Sequence, residues 1–90
     1  MLESRLTVVN PLGLHARAAA QLVRLAGGFD CRVTLSRIDR NATANAKSIL
    51  SLLALAASAG TELDVRVEGL DETAALAAID DLFRRGFGEI

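Results

Sequence analysis

Arg5-Leu6-Thr7-Val8-Val9-Asn10-Pro11-Leu12-Gly13-Leu14-His15-Ala16-Arg17 changes secondary structure within one short stretch. Arg5 to Val9 reads as a short strand, broken by Asn10, Pro11 and Gly13. From Ala16 to Ala26 the chain is rich in Ala and Leu, both strong helix formers. His15, the single histidine, therefore falls at or next to the first residue of a helix. Several backbone N–H groups there lack intrahelical acceptors. With the positive end of the helix dipole, they favour an anion. Arg17 adds a guanidinium fork shaped for phosphate or carboxylate. A neutral imidazole beside such a site can act as a nucleophile that takes and holds a phosphoryl group. A histidine after a turn also serves as a plain helix cap, and residue types alone leave both readings open.

Outward from this stretch, the first helix sets Arg17, Gln21 and Arg24 on one face. Ala16, Ala19, Ala20 and Val23 share another that can enter the core. Gly27-Gly28 is expected to end the helix in the left-handed conformation that glycine tolerates. Cys31-Arg32-Val33-Thr34-Leu35-Ser36 alternates apolar and polar, as a strand wet on one face does. Residues 37–41 turn the chain into a short strand at 42–44. The Ala/Leu-rich stretch 49–59 suits one helix stopped by Gly60. It is apolar on nearly every side, so some of its Leu or Ile side chains must face out. Leu63-Asp64-Val65-Arg66-Val67-Glu68 is the clearest strand. Asp71 is a good N-cap for a last helix reaching about Arg85, with Ala75, Leu76, Ile79, Leu82 and Phe83 as its apolar stripe. Asp80 with Arg84, and Asp81 with Arg85, form outward pairs worth about 0.3–0.5 kcal/mol each. The order is βαββαβα. One-faced strands then require an antiparallel sheet with helices stacked on its apolar side, an α+β open-faced β-sandwich of four strands and three helices.

Composition narrows the function classes. Ninety residues suit one domain over 1–90, with little room for a second core. A net charge of −1, three Phe and no Tyr or Trp argue against a nucleic-acid partner. The lone cysteine, Cys31, cannot form an internal disulfide and fits a reducing compartment, where it reads as a small buried hydrophobe. Met1-Leu2-Glu3-Ser4-Arg5 is not a signal peptide, and no run is long enough to span a bilayer. A cytoplasmic protein with no membrane partner is expected. One His and one Cys are too few ligands for a metal site, and no glycine-rich phosphate loop is present, so no cofactor is expected.

Residues 10–20, Asn-Pro-Leu-Gly-Leu-His-Ala-Arg-Ala-Ala-Ala, resemble the phosphorylation-site segment of the HPr family, the histidine-containing phosphocarriers of the bacterial phosphotransferase system. Asn45-Ala46-Lys47-Ser48-Ile49-Leu50 resembles that family's regulatory-serine segment at the expected separation, and the likeness runs over nearly the whole chain. The resemblance implies that the strand near Leu63 pairs beside the first strand. It implies a monomer whose His15 is phosphorylated on Nδ1 by enzyme I, which is itself charged by phosphoenolpyruvate. The phosphate then passes to an enzyme IIA, so the chain is a recycled protein substrate and not an enzyme. Backbone donors at Ala16 and Arg17 and the Arg17 side chain would hold the phosphate. Ser48 would be a regulatory phosphorylation site for an HPr kinase/phosphorylase. Gln21, Arg24, Ile49, Leu50 and Leu53 would form the partner-binding surface.

Two departures stand out. The familiar His-x-Arg-Pro is His15-Ala16-Arg17-Ala18 here, which gives up the stiffness of a first-turn proline. Leu12 and the C-terminal stretch 82–89 resemble NPr, the nitrogen-related branch, whereas Lys47-Ser48-Ile49 resembles HPr proteins controlled by a serine kinase. The branch stays open. Two rival readings are a regulatory interaction protein using the same docking surface without His15 chemistry, and a ferredoxin-like or ACT-type small-ligand sensor. The sensor gives no reason for His15 and Arg17 at a helix start.

Overall fold

Strands with apolar side chains on one face only can be covered on that face alone. The computed structural model, which describes residues 1–89, shows this arrangement. Strands β1 (Leu2–Thr7), β2 (Cys31–Arg37), β3 (Ala42–Asn45) and β4 (Glu62–Gly69) form one antiparallel sheet in the order β1-β4-β2-β3. Leu6, Val33, Leu35, Leu63, Val65 and Val67 are buried on its inner face. Its outer face carries exposed ion pairs, Arg5 with Asp64 at 3.1 Å and Arg66 with Glu3 at 3.2 Å. Such exposed pairs add little stability. Helices α1 (Ala16–Ala26), α2 (Ile49–Leu55) and α3 (Glu72–Arg84) form the second layer, α2 over β3 and α3 over β1 and β4. The result is the expected open-faced α+β sandwich, with β4 beside β1. Leu22, Leu52, Ile79 and Phe83 fill the space between the layers. Each such side chain contributes about 1.5–3 kcal/mol on burial. Among the described residues no helix is long and apolar enough to cross a membrane.

Several local expectations give way to tertiary contacts. β1 runs over Leu2–Thr7, not 5–9, because its register with β4 extends from Leu2 opposite Val67 to Thr7 opposite Glu62. Val9 is left exposed. The core face of α1 is Ala18, Ala19, Leu22 and Ala26; Ala16 is exposed, and Ala20 and Val23 are only partly covered. Leu22, the bulkiest of the four inward residues, points into the core and sets the rotation of the helix. Gly27 closes α1 at φ −64, right-handed, with its N–H donating to Val23 O at 2.9 Å. A Cβ there would lie 3.1 Å from that same carbonyl oxygen, a tight contact. Asp71 precedes α3 but does not cap it with its side chain; the carboxylate accepts from Asp30 N–H at 2.6 Å and ties the α1–β2 loop to α3. The outward pairs of α3, Asp80–Arg84 and Asp81–Arg85, both close at 2.8 Å.

The largest departure is α2, which stops at Leu55 instead of reaching 59. Ala56 is left-handed (φ 53, ψ 40), and the carbonyls of Leu55 and Ala56 accept from Arg37 Nη1 at 3.2 and 2.7 Å. The chain then passes directly under the loop before α1. Leu14 N–H donates to Ala57 O at 2.8 Å. Gly13 sits at φ +69, where a Cβ would meet Ala57 O at 2.7 Å and Ser58 Cα at 2.9 Å. Both neighbours are backbone atoms with no easy way to yield. Gly13→Ala should therefore lower stability by about 1–3 kcal/mol, combining left-handed strain with the clash. Urea unfolding would show it, and an unchanged midpoint would contradict this account of the loop.

Candidate functional site

The loop before α1 delivers His15 as the N-cap residue, in extended conformation (φ −75, ψ −178). Its Nδ1 accepts from Arg17 N–H at 3.3 Å, a long bond that satisfies one of the free donors of the first turn. On the other side of the ring, Nε2 lies 2.6 Å from Glu89 Oε2. An Nδ1 that accepts from a backbone amide carries a lone pair, so in the neutral ring the proton belongs on Nε2 and is donated to Glu89. The lone pair therefore faces the N-terminus of α1, whose first turn holds no acidic residue. An imidazole so arranged can attack an electrophile, and the helix end stabilises the negative charge that arrives with it.

Glu89 escaped the sequence reading. Three consecutive left-handed residues, Gly86 (φ 58), Phe87 (φ 56) and Gly88 (φ 78), fold the chain back after α3. Phe87 is non-glycine in this region, and its buried ring packs edge-on to Phe83 at 5.0 Å, which offsets the backbone strain. Asn10 completes the contact. Fully buried, it donates from Nδ2 to Gly13 O at 2.7 Å and to Glu89 Oε1 at 3.1 Å. The residue read only as a strand breaker thus braces the loop and the carboxylate together. The signal for Glu89 was an aromatic residue between two glycines after the last helix, a pattern with many other uses.

The remaining expected site residues fall in different places. Arg17 is exposed and lines a cleft of about 280 Å³ with Pro11, Leu12, Phe87, Gly88 and Glu89. Gln21 and Arg24 border a groove shared with Leu82 of α3 and with Arg85, which follows it. Ile49, Leu50 and Leu53 are exposed on α2, Leu50 at 80%, while Leu52 and Leu55 of the same helix are buried. The expected contact surface therefore draws on two helices that pack together, α1 for Gln21 and Arg24 and α2 for Ile49, Leu50 and Leu53. Ser48 is the N-cap of α2, its Oγ accepting from Ser51 N–H at 3.2 Å. Ala16 is exposed at the first position of α1. Cys31 is buried, and that burial pushes its thiol pKa up. Among the described residues no three His, Cys, Asp or Glu side chains gather to hold a metal ion.

The hydrogen bond from His15, then that from Asn10, holds the Glu89 carboxyl below the usual range, and the charge of Arg17 adds to the effect. A lowered carboxylate pKa stabilises the fold above the unfolded-state value and loses that contribution as pH falls through the folded value. The stability advantage of wild type over Glu89→Gln should thus be full at neutral pH and close on acidification below the ordinary glutamate range. Paired urea titrations between about pH 7 and pH 3 test this. A gap that does not change with pH would mean that ionised Glu89 has no special partner.

Known proteins share the sequence pattern and the fold of this chain. Residues 2–85 match the family model described as PTS-HPr, the PTS HPr component phosphorylation site. The chain is 49% identical over 89 residues to phosphocarrier protein HPr of Xylella fastidiosa strain Temecula1, covering 99% of this chain and 98% of that one. It is 45% identical to phosphocarrier protein HPr of Treponema pallidum, covering 99% of both. The crystal structure of HPr-C-His from Thermoanaerobacter tengcongensis superposes with a TM-score of 0.94 at 37% identity, covering 100% of this chain and 99% of that one. Fold, family model and full-length relatives coincide, and the chain belongs to the HPr family of phosphocarrier proteins.

Proposed function

We propose that residues 1–90 act as one monomeric, cytoplasmic unit that carries a phosphoryl group on Nδ1 of His15, from phosphorylated enzyme I to an enzyme IIA. The observation that carries this reading is the two-sided hold on the imidazole: Nδ1 faces the start of α1 while Glu89 takes the Nε2 side. The Nδ1 lone pair attacks phosphorus, a P–N bond forms, and the bond to the donor breaks. No proton needs to leave, since Nε2 keeps its own. The phosphorylated ring then carries positive charge, which the Glu89 carboxylate offsets. A ring that stays protonated on Nε2 is also a good leaving group, so the phosphate remains transferable. The backbone N–H groups of Ala16 and Arg17 and the Arg17 guanidinium would supply the donors for the phosphate oxygens. The chain is regenerated by its acceptor and turns over nothing by itself.

Ser48 is the second element of the proposal. A phosphate on this N-cap, placed by an HPr kinase/phosphorylase, would meet the free N–H groups of α2, so the fold tolerates it. Its charge would stand beside exposed Ile49, Leu50 and Leu53, where an approaching partner must desolvate it. Regulation then acts on docking. Gln21 and Arg24 would supply the polar rim of the same contact.

Incubation with enzyme I and phosphoenolpyruvate, followed by intact mass, tests the whole reading. Wild type should gain one acid-labile phosphate, and His15→Ala should gain none. Arg17→Ala should fold normally yet accept phosphate roughly 10–1000-fold more slowly. Leu50→Asp and Ser48→Asp should keep their melting temperatures and also slow transfer. Labelling that persists in His15→Ala would sink the carrier assignment. Wild-type rates in the other variants would remove Arg17, the α2 patch or Ser48 in turn.

A further inference from the structure

Arg37 is the only charged side chain that the core takes in among the described residues, 5% exposed at the C-terminal end of β2. The strand points Cys31, Val33 and Leu35 inward, and Arg37 continues that series where another aliphatic residue would be expected. A guanidinium in this position must spend its donors within the protein. Nε and Nη2 grip Asp39 Oδ1 and Oδ2 at 2.9 and 2.7 Å, and Nη1 donates to Leu55 O and Ala56 O at 3.2 and 2.7 Å. The fork therefore holds the last carbonyls of α2 and fixes where the left-handed Ala56 turns the chain. One residue later, Ala57 O receives Leu14 N–H. One residue after Leu14 stands His15.

We propose that Arg37 is a positioning residue for His15, acting through the α2 C-terminus and the Ala57–Leu14 hydrogen bond. The path has few places to absorb slack. Gly13 lies flush on Ala57 and Ser58, so a shift of that backbone moves the loop rather than an intervening side chain. Ala57 is buried, and Asn10 fastens the loop's other side through Gly13 O. A lysine in place of Arg37 offers a point charge and cannot span two carbonyls and a carboxylate in one plane. The proposal rests on the carrier reading of His15, and the test separates the two.

The test measures phosphate acceptance from enzyme I for wild type, Arg37→Ala, Arg37→Lys and Val67→Ala, with amide exchange at Leu14 followed by NMR. Val67 is a core residue of β4 outside the described contacts, and its truncation controls for plain loss of stability. Wild type that takes no phosphate would refute the carrier reading itself. With wild type labelled, both Arg37 variants should be roughly 10- to 100-fold slower, the cost of a small misplacement of a reacting group. Leu14 exchange should quicken in them, and Val67→Ala should keep the wild-type rate while still folded. Millimolar guanidinium should restore part of the rate of Arg37→Ala, and an equal concentration of potassium chloride should not. If Arg37→Ala does not fold, Arg37→Lys decides. A folded Arg37→Lys with wild-type transfer and wild-type Leu14 exchange overturns the proposal, as does Val67→Ala slowing transfer as much as the Arg37 variants do.

Discussion

The hydrogen bond from Leu14 N–H to Ala57 O, 2.8 Å long, joins the two halves of this molecule one residue before His15. On one side it belongs to the loop that ends β1 and starts α1. On the other it belongs to the chain leaving α2. For the two backbones to meet, position 13 must lack a Cβ, residue 56 must turn left-handed, and α2 must end early. Each of these is unfavourable or unneeded locally. Together they place His15 at the start of α1 with its ring free to reach both Arg17 N–H and Glu89.

Opposite electrostatics then meet across one imidazole. The α1 N-terminus is a partial positive charge on the Nδ1 side, and the Glu89 carboxylate is a full negative charge on the Nε2 side. An anion arriving at Nδ1 is attracted by the first, and positive charge developing on the ring is stabilised by the second. In the proposed carrier role Glu89 would also oppose an incoming phosphate at longer range, with Arg17 in the same cleft to counter it. Such a balance suits a site that must accept a phosphoryl group without trapping it.

Much of this was legible in the sequence, and what was missed has a common cause. Alternation in residues 31–36 and 63–68 is a property of each strand by itself, so the one-faced sheet followed from it. His15 and Arg17 at the start of α1 were equally local, since Asn10, Pro11 and Gly13 break the strand and the alanines begin the helix. The end of α2 was not local: the alanines after Leu55 are sound helix residues, and the donors that draw off the carbonyls of Leu55, Ala56 and Ala57 are Arg37 and Leu14, from distant parts of the chain. Glu89 reaches His15 across nearly the whole chain, through a turn whose energy comes from Phe87 burial. Asp71 was assigned its most common local role and performs a long-range one with Asp30. Periodicity reports a residue's neighbours in sequence; polar side chains that bridge elements leave no periodic trace.

In the proposed carrier, Glu89 keeps the proton on Nε2 so that Nδ1 is the nucleophile. A long-range 1H–15N correlation spectrum of the His15 ring, recorded on the neutral imidazole and again after phosphorylation, examines that claim directly. The account predicts the Nε2–H tautomer before reaction and phosphorus coupling to Nδ1 after it. A proton on Nδ1 in the free protein, or phosphorus bound to Nε2, would contradict it.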